Sequence, residues 1–169
     1  MLVPSLGHGR CGHVLLIDGL AVKAVHAQSD LAVELQHEAA VYQDIQQLQG
    51  TTIPTIHTVG SFLGPSSMCF VMNVVGFSLT SDLIPRYEMP LLFPSAQVAL
   101  QSLHDLDWLH GDVRLENFAL KSSRCIVFME EVTAEGVVVL DFGFAQRSSD
   151  PAKKELEMEE LRWAFSIED

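Results

Sequence analysis

The stretch that decides the reading is His110-Gly111-Asp112-Val113-Arg114-Leu115-Glu116-Asn117. It places an acid, a cation and a carboxamide within one short segment. Before it, Ser95 is a capping residue, and Ala96, Ala99, Leu100, Leu103 and Leu106 share one helical face, so a helix is expected from Ser95 toward Leu109. Pro85, Pro90 and Pro94 make 80–94 an irregular connector. After it, CIVFM (125–129) and VVVLDF (137–142) read as strands joined by the acidic EEVTAEG. The second run ends in Asp141-Phe142-Gly143, and Asn117 to Asp141 reads as an extended hairpin.

Upstream, residues 14–25 read VLLIDGLAVKAV, two β-rich runs around Asp18-Gly19, a signal for a tight hairpin. A helix follows, with Asp30 as its cap, Leu31, Leu35, Tyr42, Ile45 and Leu48 at helical spacing, and Gly50 as its end. Residues 51–60 and 68–75 read as strands, with FLGPSS (62–67) as the turn. Gly7, Gly9 and Gly12, followed by Val14, form a GxGxxGxV pattern. Three glycines at that spacing arise by chance in about 5% of such sequences. Here they lead into a hairpin and not a helix, which disfavours a dinucleotide-binding turn. Glycines between strands let backbone amides approach phosphate oxygens. Lys23 shares a strand face with Ala21 and Val25, and if that face is inward it needs an anionic partner. Glu38 lies on the apolar face of the helix with Leu35 and Tyr42, where a carboxylate is costly unless paired. Pairing Lys23 with Glu38 satisfies both, and Glu34, one turn earlier, is the competitor.

Together these segments resemble a protein kinase. A glycine-rich loop (Gly7–Val14), a strand lysine (Lys23), HGDVRLEN (110–117) and DFG (141–143) occur in kinase order. Phe70 to Gly76 resembles the strand entering the kinase hinge. The resemblance spans residues 6 to about 146. It implies an α+β, bilobal fold over 1–169: a β-rich N-lobe (about 1–75) with one main helix, then a hinge and a reduced, mainly helical C-lobe (about 76–169). The implied activity is transfer of the γ-phosphate of Mg-ATP to a protein Ser/Thr hydroxyl, with ATP and Mg²⁺ as cofactors. By resemblance, Gly7, Gly9 and Gly12 would cradle phosphates, Val14 and Ala21 would line the adenine pocket, Met72 would be the gatekeeper, and Asn73 to Val75 would meet the adenine edge. Lys23, held by Glu38, would contact the α- and β-phosphates; Asp141 and Asn117 would hold Mg²⁺; Asp112 would take the proton of the attacking hydroxyl. Arg114 stands where Ser/Thr kinases usually carry a lysine near the γ-phosphate. His110 is expected to pack under Phe142 as a structural histidine.

The chain departs from that pattern in three places. Gly111 replaces the arginine of HRD, which disfavours phospho-switching, and HGD resembles small atypical kinases and the aminoglycoside and choline phosphotransferases. The stretch from Asn117 to Asp141 is long for a protein kinase. Only residues 144–169 follow Gly143, with no APE motif. The reduced C-lobe is expected to leave apolar surface for a protein partner or self-association. The tail helix is expected to start at Asp150-Pro151, to bury Met158, Leu161 and Phe165, and to present Glu155, Glu157, Glu159 and Glu160 as a solvated face.

Composition is compatible with this reading. At about 150 residues per domain, 169 residues suggest one domain. Ten Lys+Arg against 22 Asp+Glu give a net charge of −12, which argues against a chain-wide nucleic-acid or anionic-membrane footprint. Phosphate binding then requires a local site. Cys11, Cys69 and Cys125 are odd in number and far apart, so free thiols in a reducing compartment are expected. No signal peptide or membrane span is apparent, and a soluble cytoplasmic or nuclear protein is the expectation. Two other functions compete: a nucleotide-binding pseudokinase or scaffold, and a small-molecule kinase whose cationic substrate (an aminoglycoside or choline) would suit the acidic chain.

Overall fold

The computed structural model describes residues 5–9, 12–61, 64–80, 82, 84, 86, 89–121 and 136–166, with only the backbone described before residue 14. Strands β1 (Ser5–Gly9), β2 (Gly12–Ile17) and β3 (Leu20–His26) precede helix α1 (Asp30–Asp44). Strands β4 (Ile56–Gly60) and β5 (Ser67–Asn73) follow. All five form one antiparallel sheet, in the order β1-β2-β3-β5-β4. Asp18 and Gly19 connect β2 to β3 with φ of 50° and 80°, the left-handed pair whose twist matches a two-residue hairpin. Val14 therefore sits opposite Lys23, and Lys23 opposite Phe70.

Helix α1 packs on this sheet through Leu35, Glu38, Val41 and Tyr42, all buried. Two expectations about its ends are corrected. The flanking residue is Ser29, whose side chain makes no capping bond; Asp30 lies inside the first turn, where its charge meets the helix dipole. The helix stops at Asp44 and tightens into a 3-10 turn, Gln46–Leu48. Gly50, at φ +75°, reverses the chain only after that turn. The strand expected over 51–60 begins at Ile56, because Gly50 N–H to Ile53 O and Thr51 N–H to Leu48 O hold the preceding residues in a turn.

Helix α2 spans Met89–His104, so it starts before Ser95 and includes Pro90 and Pro94. Pro90, the second residue, forfeits no intrahelical bond, whereas Pro94 lies inside the helix and gives up the N–H that would bond the Pro90 carbonyl. Ser95 does not cap the helix; its Oγ instead accepts from Val137 N at 2.8 Å. The helix does not reach Leu109. Asp107 (φ 58°) turns the chain, and Trp108–Leu109 forms strand β6 against β9 (Gln146–Arg147). A second hairpin pairs β7 (Phe118–Leu120) with β8 (Val137–Val139), every residue of both being buried. The partner of the VVV run is thus the apolar FAL segment; 125–129, like Cys11 and Cys125, lies outside the described residues.

Helix α3 (Pro151–Ala164) opens as expected, with Asp150 Oδ1 accepting from Ala152 N at 3.0 Å and Pro151 at the first position. Met158, Leu161 and Phe165 are buried, and the Phe165 ring meets Phe93 edge-on at 5.5 Å. Glu157 corrects the solvated-face expectation: it is only 6% exposed. Buried apolar residues from the sheet, α1, α2, the β7–β8 hairpin and α3 form one core cluster. Among the described residues no helix is long and apolar enough to cross a membrane.

Candidate active site

Residues 76–79 cross from the sheet to the second hairpin: Gly76 N–H donates to Leu120 O (2.7 Å) and Leu79 N–H to Phe118 O (2.9 Å). This leaves a cavity of about 860 Å³ between the sheet and the β7–β8 layer. Val14 and Ala21 line it from the sheet; Met72, Asn73 and Val75 line it along the crossing strand. Lys23, Glu38, Arg114, Asn117 and Asp141 also line it. Asp112 stands beside these through its bonds to Arg114 and Asn117. Gly7 and Gly9 lie in β1 and Gly12 opens β2, with Gly7 opposite Val14 and Gly9 opposite Gly12; Arg10 and Cys11 are outside the described residues. Asn73 Oδ1 is engaged by His57 Nε2 at 2.6 Å, and its N–H donates to Thr55 O.

Strand alternation turns Lys23 inward with Ala21 and Val25, and it is 4% exposed. Its ammonium donates to Glu38 Oε2 at 2.5 Å and to Asp141 Oδ1 at 3.3 Å, while lying over the Phe70 ring. Glu34, the competing partner, is only half-buried on α1. Burial pushes the Glu38 carboxyl up to about 7, because desolvation and the neighbouring Asp141 outweigh the attraction of Lys23. Asp141 has φ 62°, a left-handed conformation that aspartate tolerates better than bulkier residues. That backbone turn places its carboxylate beside Lys23 at the end of β8.

Asp112 belongs to a second set of bonds. The Asn117 amide nitrogen donates to Asp112 O (2.8 Å) and to Asp112 Oδ2 (2.9 Å). Arg114 also pairs with Oδ2, at 3.0 Å. The other carboxylate oxygen, Oδ1, accepts from none of the described residues. The buried Asn117 Oδ1 likewise has no partner among them and lies at the cavity wall. His110 is fully buried beside Phe142, with ring centroids 5.5 Å apart. Its Nε2–H donates to Leu140 O (2.9 Å), and its Nδ1 accepts from Asp112 N (3.2 Å). Burial lowers its pKa, so the ring is neutral and serves to orient the loop.

An Asn and an Asp facing the cavity, with an orphaned amide oxygen, fit Mg²⁺, a hard cation that completes its shell with water and phosphate oxygens. Among the described residues no group of three His, Cys, Asp or Glu is assembled into an all-protein metal cage.

Two residues near this site do more than their sequence positions suggest. Gly111 has φ +77°, and a Cβ there would run into the Phe144 carbonyl closer than real Cβ atoms approach. The glycine in HGD is therefore where the turn after Asp141-Phe142-Gly143 rests on the loop. Glu157, from α3, accepts from His110 N (3.0 Å), Gly111 N (2.6 Å) and His104 Nε2 (2.8 Å). Burial opposes its charge, but these three donors outweigh it and hold the carboxyl below the usual range. A signal for it exists in the sequence: Glu157 lies four residues before Leu161 and next to Met158, the same apolar-face position that singles out Glu38.

No family model matches the chain, and no curated protein matches it. Solved structures do match. The crystal structure of a kinase domain aligns over 88% of this chain with a TM-score of 0.70 and 24% identity. The chain spans about half that domain, 52% of its length. At that identity the likeness speaks to architecture alone, and it shows that the chain has a kinase-like α+β fold.

Proposed function

We propose that the chain is an ATP-dependent phosphotransferase of protein kinase type, acting on Ser/Thr hydroxyls of a protein. The observation that carries the reading is Lys23 reaching Glu38 and Asp141 at once on the cavity wall. A buried lysine held between two acids is a costly arrangement for stability alone. It suits a site that must receive a polyanion.

Asn117 Oδ1 and the Asp141 carboxylate would hold Mg²⁺, which neutralises phosphate charge when bound. Lys23 binds the α- and β-phosphates, and Val14, Ala21 and Met72 enclose the base. Asp112 positions the acceptor hydroxyl through its Oδ1 and takes its proton. The hydroxyl oxygen bonds to the γ-phosphorus as the bond to the bridging β–γ oxygen breaks, and ADP leaves. Arg114, half-exposed at the mouth, balances charge on the moving phosphoryl group.

The test is phosphate transfer from labelled Mg-ATP to protein substrates. Asp112→Ala should lower the rate by about 10²–10⁴, and Lys23→Met should abolish label. Equal label in all three proteins contradicts the reading. Nucleotide binding without transfer favours a scaffold, and transfer only to amines or amino sugars carrying a hydroxyl favours a small-molecule kinase.

A further inference from the structure

We propose that His37 is a positioning residue for the Lys23–Glu38–Asp141 constellation, one end of a strut whose other end is Gly111. The inference rests on the reading of that constellation as a Mg-nucleotide site.

Lys23 can bridge Glu38 and Asp141 only if α1 and the end of β8 stay in register. Helix α1 packs mainly on the sheet, whereas Asp141 belongs to the second layer. Four contacts cross to the turn after Asp141, the first a hydrogen bond from the Phe142 backbone N–H to the Glu38 carboxylate. Tyr42 meets Phe142 edge-on at 4.9 Å, His37 Nε2 donates to Ala145 O at 2.8 Å, and Arg147 pairs with Asp44 at 2.9 Å. The ion pair is exposed on both sides, 60% and 50%, and such pairs hold little. The ring contact is buried packing and carries no hydrogen bond. The directional ties are therefore the Phe142 N–H bond to Glu38 and the His37 bond, which comes from the adjacent, exposed residue.

The turn that receives it is itself fixed. Ala145 N–H closes on Phe142 O, which presents the Ala145 carbonyl outward. Phe144 rests on Gly111, where only a hydrogen fits. Gly111 N–H is held in turn by Glu157, and β9 continues the turn onto β6. A chain of hydrogen bonds and one close backbone contact, at Gly111 and Phe144, thus runs from α3 through the turn to α1. This chain of contacts brings the acids of the constellation together.

The experiment compares wild type, His37→Ala, His37→Gln and Asp44→Ala by Mg-ATP titration calorimetry and by amide exchange over residues 38–42. His37→Ala should weaken Mg-ATP binding about three- to tenfold, the size of one net hydrogen bond, and speed exchange in α1. Glutamine keeps an N–H donor of similar reach and should restore both. Asp44→Ala should change neither by more than about twofold. Should His37→Ala bind and exchange like wild type, or should glutamine rescue nothing, the strut is refuted. Wild type that binds no Mg-ATP refutes the nucleotide reading instead, and the exchange comparison then decides the strut alone: faster exchange in the alanine than in the glutamine variant supports it, and equal rates overturn it.

Discussion

Two buried glutamates sit at opposite ends of the site and behave oppositely. Glu38 is 1% exposed and its carboxyl is raised to about 7; Glu157 is 6% exposed and its carboxyl is lowered. Residue type is the same, and burial pushes both carboxyls up, Glu38 more because it is the more deeply enclosed; the donors around each decide the sign. Glu157 has three N–H donors converging on it, two of them backbone amides that cannot turn away. Glu38 has a single backbone amide, Phe142 N–H, and one ammonium, which it shares with Asp141, and Asp141 repels it. Fixed donors outweigh desolvation at Glu157, while a shared mobile charge does not at Glu38. The contrast separates a carboxylate fixed by converging amides from one that shares a cation at the cavity wall.

The largest expected stability effect is at Glu157. Glu157→Ala strands the His110 and Gly111 amides and should cost about 2–4 kcal/mol in chemical denaturation. Glu38→Gln, by contrast, should leave stability at neutral pH unchanged or raise it, while weakening Mg-ATP binding about tenfold or more, because Lys23 loses one of its two charged partners. Near-equal stability losses from the two substitutions would erase the distinction.

Acid titration tests the same contrast over a wider range. The raised Glu38 contributes stability that is fully present below its unfolded value of 4.5 and is lost as pH rises through about 7. The lowered Glu157 contributes stability present above 4.5 and lost as pH falls through its depressed folded value. Denaturation midpoints followed from pH 3 to 8 should therefore show Glu38→Gln flattening the limb between about 4.5 and 7. Glu157→Gln should flatten the limb below it. A single variant that removes both slopes would mean the two groups titrate together.

The smallest effect belongs to the surface. Glu155→Ala removes the exposed pair with Arg162 and should move stability by no more than about 0.5 kcal/mol. A larger loss would show that α3 depends on its outer face and not on Glu157, Met158 and Leu161.

Much of this architecture is legible in the residues, and the mismatches have physical causes. The Asp18-Gly19 hairpin, the inward Lys23 and the buried face of α1 are local patterns, and local patterns set local structure. The start of α2 is hidden because Pro94 suggests a break, whereas the folded helix runs through it at the loss of one backbone bond. Ser95 looks like a cap because its long-range partner, Val137, cannot be seen in sequence. Glu157 reads as one of a run with its exposed neighbours Glu155, Glu159 and Glu160, although its spacing puts it with Met158 and Leu161. Gly111 stands out as a departure from HRD, but the reason for a glycine lies in Phe144, a contact that only the folded chain creates.

Thermal unfolding with ATP, with and without Mg²⁺, in wild type and in Lys23→Met, puts the nucleotide site to its sharpest test. Wild type should gain a Mg-dependent stabilisation of about 2.7 kcal/mol at one hundred times Kd, and the variant should lose it. An unchanged unfolding curve in wild type, or an equal rise in Lys23→Met, would contradict a lysine-held triphosphate in this cavity.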